Sequence, residues 1–190
     1  DIVALLLSYD KINVNQSGFF CGNGTKIEYD ALTSSILAGN LKITEILLTS
    51  PRIDINKFIT IHNISFYTQK LNALHFAILN NKGEALPLLI SQPNLDINCK
   101  SLYKSEDLTQ IIEITALHFA FENKKDDYIM ILLSSPRIDV NVNSKIRITT
   151  DSSFKEKERP TLEYAIKNGN IEIIKLLLNK PEIDLNQKSK

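Results

Sequence analysis

Five leucine- and isoleucine-rich stretches recur along the chain, at Ile2 to Leu7, Leu41 to Thr49, Glu84 to Ser91, Asp126 to Ser134 and Ile171 to Asn179. In the last of them Ile173, Ile174, Leu176, Leu177 and Leu178 cover most of a helix's circumference, which predicts a helix buried between neighbours. Before it lies a second, shorter helical pattern in which Leu162, Ala165 and Ile166 share one stripe, and Asn168-Gly169-Asn170 supplies a left-handed stop between the two. Each complete unit therefore reads as two short helices. Pro51, Pro93, Pro136 and Pro181 follow the second helices and cannot continue them. Asp30, Asn72 and Thr115 stand where a short polar side chain accepts the free N–H groups of a first helix. Pro160 cannot do this, so either Thr161 caps that helix or it starts less firmly. Pro87, inside a second helix, should bend or delay it.

Self-comparison turns these helices into a repeat. Ile53-Asp54-Ile55-Asn56 recurs as Leu95-Asp96-Ile97-Asn98, Ile138-Asp139-Val140-Asn141 and Ile183-Asp184-Leu185-Asn186, with Ile12-Asn13-Val14-Asn15 as a weaker first copy. Ala73-Leu74-His75-Phe76-Ala77 recurs as Ala116-Leu117-His118-Phe119-Ala120, and less closely at Thr161 to Ala165 and Ala31 to Ser35. The first marker advances by 41, 42, 43 and 45 residues and the second by 42, 43 and 45, so two independent signals keep step.

A Leu-His-x-Ala helix start, an Asn/Gly corner, a leucine-rich second helix and an Asp-hydrophobic-Asn exit together resemble the ankyrin repeat. Leu74-His75-Phe76-Ala77 and Leu117-His118-Phe119-Ala120 are the strongest matches, and Ala165 to Leu178 is close to the family's second half. The resemblance implies an all-α solenoid of stacked helix pairs, an ankyrin repeat array with protruding β-hairpin loops. It would form a single domain over 1–190, with a partial repeat at 1–15 and repeats at about 16–56, 57–98, 99–141 and 142–186. Two departures stand out: the family's Thr-Pro-Leu-His proline is absent, and the period exceeds the usual 33 or so residues. The extra length falls where the family has its β-turn finger. Lys57 to Ile61 and Ile64 to Thr68 are β-prone runs around His62-Asn63, and Gly18 to Cys21 and Lys26 to Tyr29 flank Gly22-Asn23-Gly24 in the same way. Both predict hairpins, and stacked fingers of this length could pair edge to edge. Lys100 to Ile114 and Asn143 to Arg159 are less clear, and the polar stretch Asp151 to Arg159 suggests mobility.

Composition narrows the function. Hydrophobic residues make up 43% of 190, enough for a folded core, and Lys plus Arg equals Asp plus Glu at 22 each with no run of either sign. That balance argues against nucleic acid as a partner. The apolar runs fall far short of the roughly 20 residues that cross a bilayer, so no membrane insertion is expected. Cys21 and Cys99 lie in different loops, which fits a reducing, cytoplasmic setting better than a disulfide framework. Asn15-Gln-Ser17, Asn23-Gly-Thr25 and Asn63-Ile-Ser65 match the glycosylation acceptor pattern, which a chain this rich in Asn produces by chance.

No nucleophile elbow, zinc-protease helix or phosphate-cradling loop occurs, and no enzymatic activity or cofactor is expected. His75 and His118 occupy equivalent places in successive repeats, too far apart to share a zinc ion; in the family this histidine hydrogen-bonds within and between repeats. One Asp and one Asn per repeat fall short of a calcium site and suit turn chemistry instead. Phe76, Phe119 and Tyr164 either form an aromatic ladder beside the groove or pack beneath the fingers. The expected function is protein–protein interaction, with Phe66, Tyr67, Tyr103 and Arg147 of the fingers and Leu79, Glu122 and Lys167 of the first helices as partner-binding residues. The alternative is a structural spacer or regulatory arm of a larger enzyme, channel or cytoskeletal protein. It draws on the opening in a second helix and the close just after Asn186, uncapped ends that would also permit self-association.

Overall fold

Apolar periodicity and β-prone fingers both become regular structure in the computed structural model, which describes residues 2–22, 25–62, 68–104, 110–150 and 153–189. The chain divides into two compact units, Asp1–Asp96 and Ile97–Lys190. Unit 1 runs α1 (Ile2–Leu7), β1 (Gly18–Gly22), β2 (Thr25–Tyr29), α2 (Ala31–Leu37), α3 (Leu41–Leu48), β3 (Ile59–His62), β4 (Thr68–Leu71), α4 (Ala73–Leu79), a 3₁₀ turn (Gly83–Ala85) and α5 (Leu86–Ile90). Unit 2 runs β5 (Lys100–Lys104), β6 (Gln110–Thr115), α6 (Ala116–Glu122), α7 (Asp126–Leu133), β7 (Ser144–Thr150), β8 (Ser153–Arg159), α8 (Thr161–Asn168) and α9 (Ile171–Leu178).

The helices start as their caps dictate. Asp30 accepts from the Thr33 N–H at 2.8 Å, and Asn72 from the His75 N–H at 3.1 Å. Pro160 gives α8 no side-chain cap, and the Thr161 hydroxyl is turned instead toward His118, at 2.8 Å from Nε2. Pro87 delays its helix as expected: the 3₁₀ turn comes first, and α5 holds only five residues. Between the paired helices stands one left-handed residue per repeat, namely Gly39, Asn81, Lys124 and Gly169, with φ of 68°, 56°, 53° and 78°. Glycine meets that requirement without strain, whereas Lys124 adopts it despite its Cβ.

The expectation of an all-α solenoid is overturned. The described residues contain eight strands, four in each unit, and every finger is a strand pair. Fingers do not merely protrude: β2 pairs with β3 at Lys26↔His62 and Ile27↔Ile61, and β6 with β7 from Gln110↔Ile148 to Glu113↔Lys145. Once two fingers stand side by side, their backbone groups are satisfied by pairing, so four antiparallel strands share each unit's ladder. In the second finger the described part of the returning strand is Thr68–Leu71, with Ile59↔Leu71 and His62↔Thr68; of the expected run Ile64 to Thr68, all but Thr68 lies outside the described residues. That register places Ile59 and Leu71 together, both at 0% exposure, just before the Asn72 cap. In the fourth finger, the stretch Asp151 to Arg159 expected to be mobile is, from Ser153 to Arg159, strand β8 paired along its whole length with β7; Asp151 and Ser152 lie outside the described residues.

A line of asparagines joins consecutive repeats. Asn15, Asn56, Asn98 and Asn141 each accept, through Oδ1, the backbone N–H of the next repeat's Asp54, Asp96, Asp139 or Asp184, always at 2.8 Å. Their Nδ2 groups donate to the carbonyls of Arg52, Asn94, Arg137 and Glu182 at 2.6–2.9 Å. The Asp carboxylates of 54, 139 and 184 close the local turn by accepting the N–H two residues on. The Asp-x-Asn exit is therefore turn chemistry plus a bidentate clamp on the neighbour.

Candidate functional site

In unit 2 the C-terminal ends of α6 and α8 and the start of α7 border a cleft of about 340 Å³ lined by Phe121, Glu122, Lys124, Asp126, Tyr164, Lys167 and Asn168. The two first-helix candidates of this unit, Glu122 and Lys167, meet there. Its acidic groups are already engaged. Glu122 lies 3.5 Å from Arg159 Nη1, and the Asp126 carboxylate accepts from Asn168 Nδ2 at 3.1 Å and from Asn170 Nδ2 at 2.7 Å. Among the described residues no ion pair engages Lys124 or Lys167, and these two cations share the cleft with two carboxylates, Glu122 paired with Arg159 and Asp126 hydrogen-bonded to neutral carboxamides.

Arg159 organises the wall of this cleft. Its Nε bonds Glu163 at 2.9 Å, and its guanidinium lies 5.1 Å from the Tyr164 ring centroid. The Tyr164 hydroxyl is 2.9 Å from Ser144 Oγ on β7, fixing first helix to finger. Burial pushes the Tyr164 phenol above its ordinary value, with the Ser144 bond working against that shift. A pKa raised by folding stabilises fully below the unfolded tyrosine value of about 10 and loses that contribution as pH climbs through the folded value. Urea midpoints of the protein should therefore fall between pH 9 and 11, and Tyr164→Phe should make the fall smaller; an unchanged fall would remove Tyr164 as its source.

On the finger strands, Arg147 lies 2.6 Å from Glu113 and 3.1 Å from Glu156, and Lys145 is 3.9 Å from both Glu156 and Glu158. The Glu156 and Glu113 carboxylates favour the charged guanidinium and raise the Arg147 pKa further. Arg147 is thus held by its own sheet, a partner the sequence does not disclose. Leu79 ends α4 in unit 1 and is 36% exposed. Tyr103 sits on β5 opposite Ile112, with its side chain outside the described residues, as are Phe66 and Tyr67 entirely.

The residues expected to be structural are so. His118 Nδ1 is 2.7 Å from Thr115 Oγ1, and His75 Nδ1 is 2.6 Å from Asn72 Oδ1. Phe76, Phe119 and Tyr164 are 1%, 0% and 2% exposed, so they belong to the core and not to an open aromatic ladder; Phe76 meets Tyr29 of β2 edge-on at 5.8 Å. Among the described residues no group of three or more His, Cys, Asp or Glu side chains could hold a metal ion. No helix among them is long and apolar enough to cross a membrane.

Asp126 and Lys124 escaped the sequence reading. Position 124 corresponds to Gly169 in the next repeat, and a lysine at a glycine's place was the available signal. None of the curated proteins matches the chain. Residues 74–189 match the family model for ankyrin repeats in three copies, repeats that generally serve protein–protein interaction and are typically non-catalytic. With that match spanning more than half of its length, the chain belongs to the ankyrin repeat family.

Proposed function

We propose that this chain binds a polypeptide partner through its first-helix ends and finger strands, with the unit 2 cleft taking an acidic side chain. The observation that carries this reading is that Lys124 and Lys167 line a space bordered by Phe121 and Tyr164 and form no ion pair among the described residues, whereas Glu122 is paired with Arg159 and Asp126 is hydrogen-bonded to Asn168 and Asn170. A partner carboxylate there would gain two cations at little desolvation cost to the protein, since both lysines sit at the surface. Glu122 and Lys167 belong to this contact, with Arg147 and Tyr103 of the unit 2 fingers beside it; Leu79, Phe66 and Tyr67 are proposed to contribute separately from unit 1. Arg147 would contribute the edge of a guanidinium already fixed in place, which lowers the entropy lost on binding. A chain with only two cysteines, Cys21 and Cys99, suits a reducing compartment such as the cytoplasm.

Replacing the exposed Lys124 and Lys167 together by alanine should weaken capture of the partner at least about tenfold, a loss of about 1.4 kcal/mol, while leaving the circular dichroism melt in place. Lys167→Glu alone should act in the same direction and more strongly at low salt. A partner recovered by the native chain and bound equally by the double variant would place the contact elsewhere.

A further inference from the structure

Strand β8 carries Lys155, Glu156, Lys157, Glu158 and Arg159 in strict alternation of sign. Successive side chains of a strand point to opposite faces, so this run sorts its charges: both glutamates on one face, Lys155, Lys157 and Arg159 on the other. The register shows what each face meets. Glu158 and Glu156 stand opposite Lys145 and Arg147 of β7, which are also their ion-pair partners. Lys157 and Lys155 stand opposite Ile146 and Ile148, beyond which lie Ile112 and Gln110 of β6, so no carboxylate faces either lysine across these strands.

The cationic face is the one turned toward the first helices. Ser144 and Arg159 are paired on it, and both reach Tyr164 of α8. At its base Arg159 already holds Glu122 and Glu163. Lys157 and Lys155 follow along the strand at steps of about 7 Å. Both are exposed, and among the described residues no ion pair engages either. These two charges do not depend on the backbone edge of β8: a strand added there would pair with its N–H and C=O groups and leave both faces as they are.

We infer that this face of β8 binds an acidic, extended segment of the protein partner, with carboxylates two residues apart seated on Lys157 and Lys155. The inference rests on the reading of unit 2 as a polypeptide-binding surface and names the partner's chemistry beyond the cleft. Arg159 borders both surfaces, since it forms the cleft wall against Tyr164 and begins the cationic row of β8. An extended chain leaving the cleft along β8 brings every second side chain to the same face at the strand's own step of about 7 Å, so its acidic groups stay in register with the lysines. Glu156 and Glu158 lie on the far face, held by β7, and do not oppose such a chain.

Fluorescence anisotropy with a fluorescein-labelled peptide alternating Glu and Thr should show saturable binding to the native 190-residue chain, and a counterpart alternating Lys and Thr should show none. Lys155→Thr with Lys157→Thr keeps strand-favouring side chains and removes both charges; it should weaken the acidic peptide about fivefold, with the larger loss at low salt. Lys155→Gln with Lys157→Gln should reproduce that loss, which separates missing charge from a disturbed strand, and Lys155→Arg with Lys157→Arg should keep the binding. Lys11→Gln with Lys42→Gln, an equal loss of charge at exposed positions of unit 1, should leave it unchanged. No binding by the native chain would overturn the inference, and so would binding that both the Thr and the Gln pairs at 155 and 157 retain, or a loss that the unit 1 control matches. Lys124→Ala with Lys167→Ala tells the two surfaces apart: a loss confined to that variant would remove the β8 site and keep the cleft, whereas a loss confined to the changes at 155 and 157 would support the β8 site and remove the cleft.

Discussion

His118→Ala should be the most damaging single substitution in unit 2, lowering stability by about 3–5 kcal/mol in urea unfolding. The imidazole is 1% exposed and ties three elements together. The Thr115 hydroxyl lies 2.7 Å from Nδ1 at the helix start, Thr161 Oγ1 of the next repeat lies 2.8 Å from Nε2, and Thr161 in turn reaches the Val142 carbonyl at 3.4 Å. With the Thr161 hydroxyl donating to Val142, the bond to the ring is supplied by Nε2–H. Alanine would leave the Thr115 and Thr161 hydroxyls short of a partner in a buried place and open a void against the Tyr164 ring, now 4.9 Å away. Thr161→Val, which keeps the shape and removes only the hydroxyl, should cost about 1–3 kcal/mol. The double variant should fall short of the sum of the two losses, because both substitutions break the same bond. Strict additivity would show that the histidine stabilises its own helix start and does not couple the repeats.

The same histidine shows what a sequence discloses. Its recurrence at a fixed step, with a cap residue three positions earlier, is a local pattern, and so are the leucine-rich helices, the glycine corners and the prolines that end each unit. Strand pairing is not local. Ile27 and Ile61 become neighbours only after two repeats have stacked, so the sequence suggests that fingers pair edge to edge but not in which register they form each unit's ladder. The fourth finger misled for a related reason. Ser153 to Arg159 has the composition of a solvated loop, and its charges are accommodated because Arg147 and Lys145 stand opposite Glu156 and Glu158 across the strand pair. At the site, Glu122 and Lys167 could be placed by their equivalence in the repeat. The carboxamide clamp on Asp126 and the ion pairs on Arg147 could not, since each joins residues separated by nine to 44 positions.

Asn56→Ala should cost unit 1 about 2–3 kcal/mol although its side chain is partly in water, because it removes two hydrogen bonds to backbone groups of the next repeat at once. Oδ1 accepts from the Asp96 N–H and Nδ2 donates to the Asn94 carbonyl, both at 2.8 Å, while the backbone N–H of Asn56 itself is held by Asp54 Oδ1 at 3.1 Å. Asn56→Asp separates the parts of this clamp. It preserves size and the bond to Asp96 N–H but sets a carboxylate oxygen against the Asn94 carbonyl, so it should be at least as harmful as alanine. In a stack where each repeat touches only its neighbours, stability is a sum of repeat and interface contributions, and a loss confined to an interface lowers cooperativity as well as the midpoint. The urea transition of Asn56→Ala should therefore broaden, with a smaller m-value, whereas a core truncation inside one repeat such as Ile36→Val should shift the midpoint with little change in slope. A shift of equal size with an unchanged slope in both variants would mean that the asparagine line supports each turn separately and carries no coupling along the array.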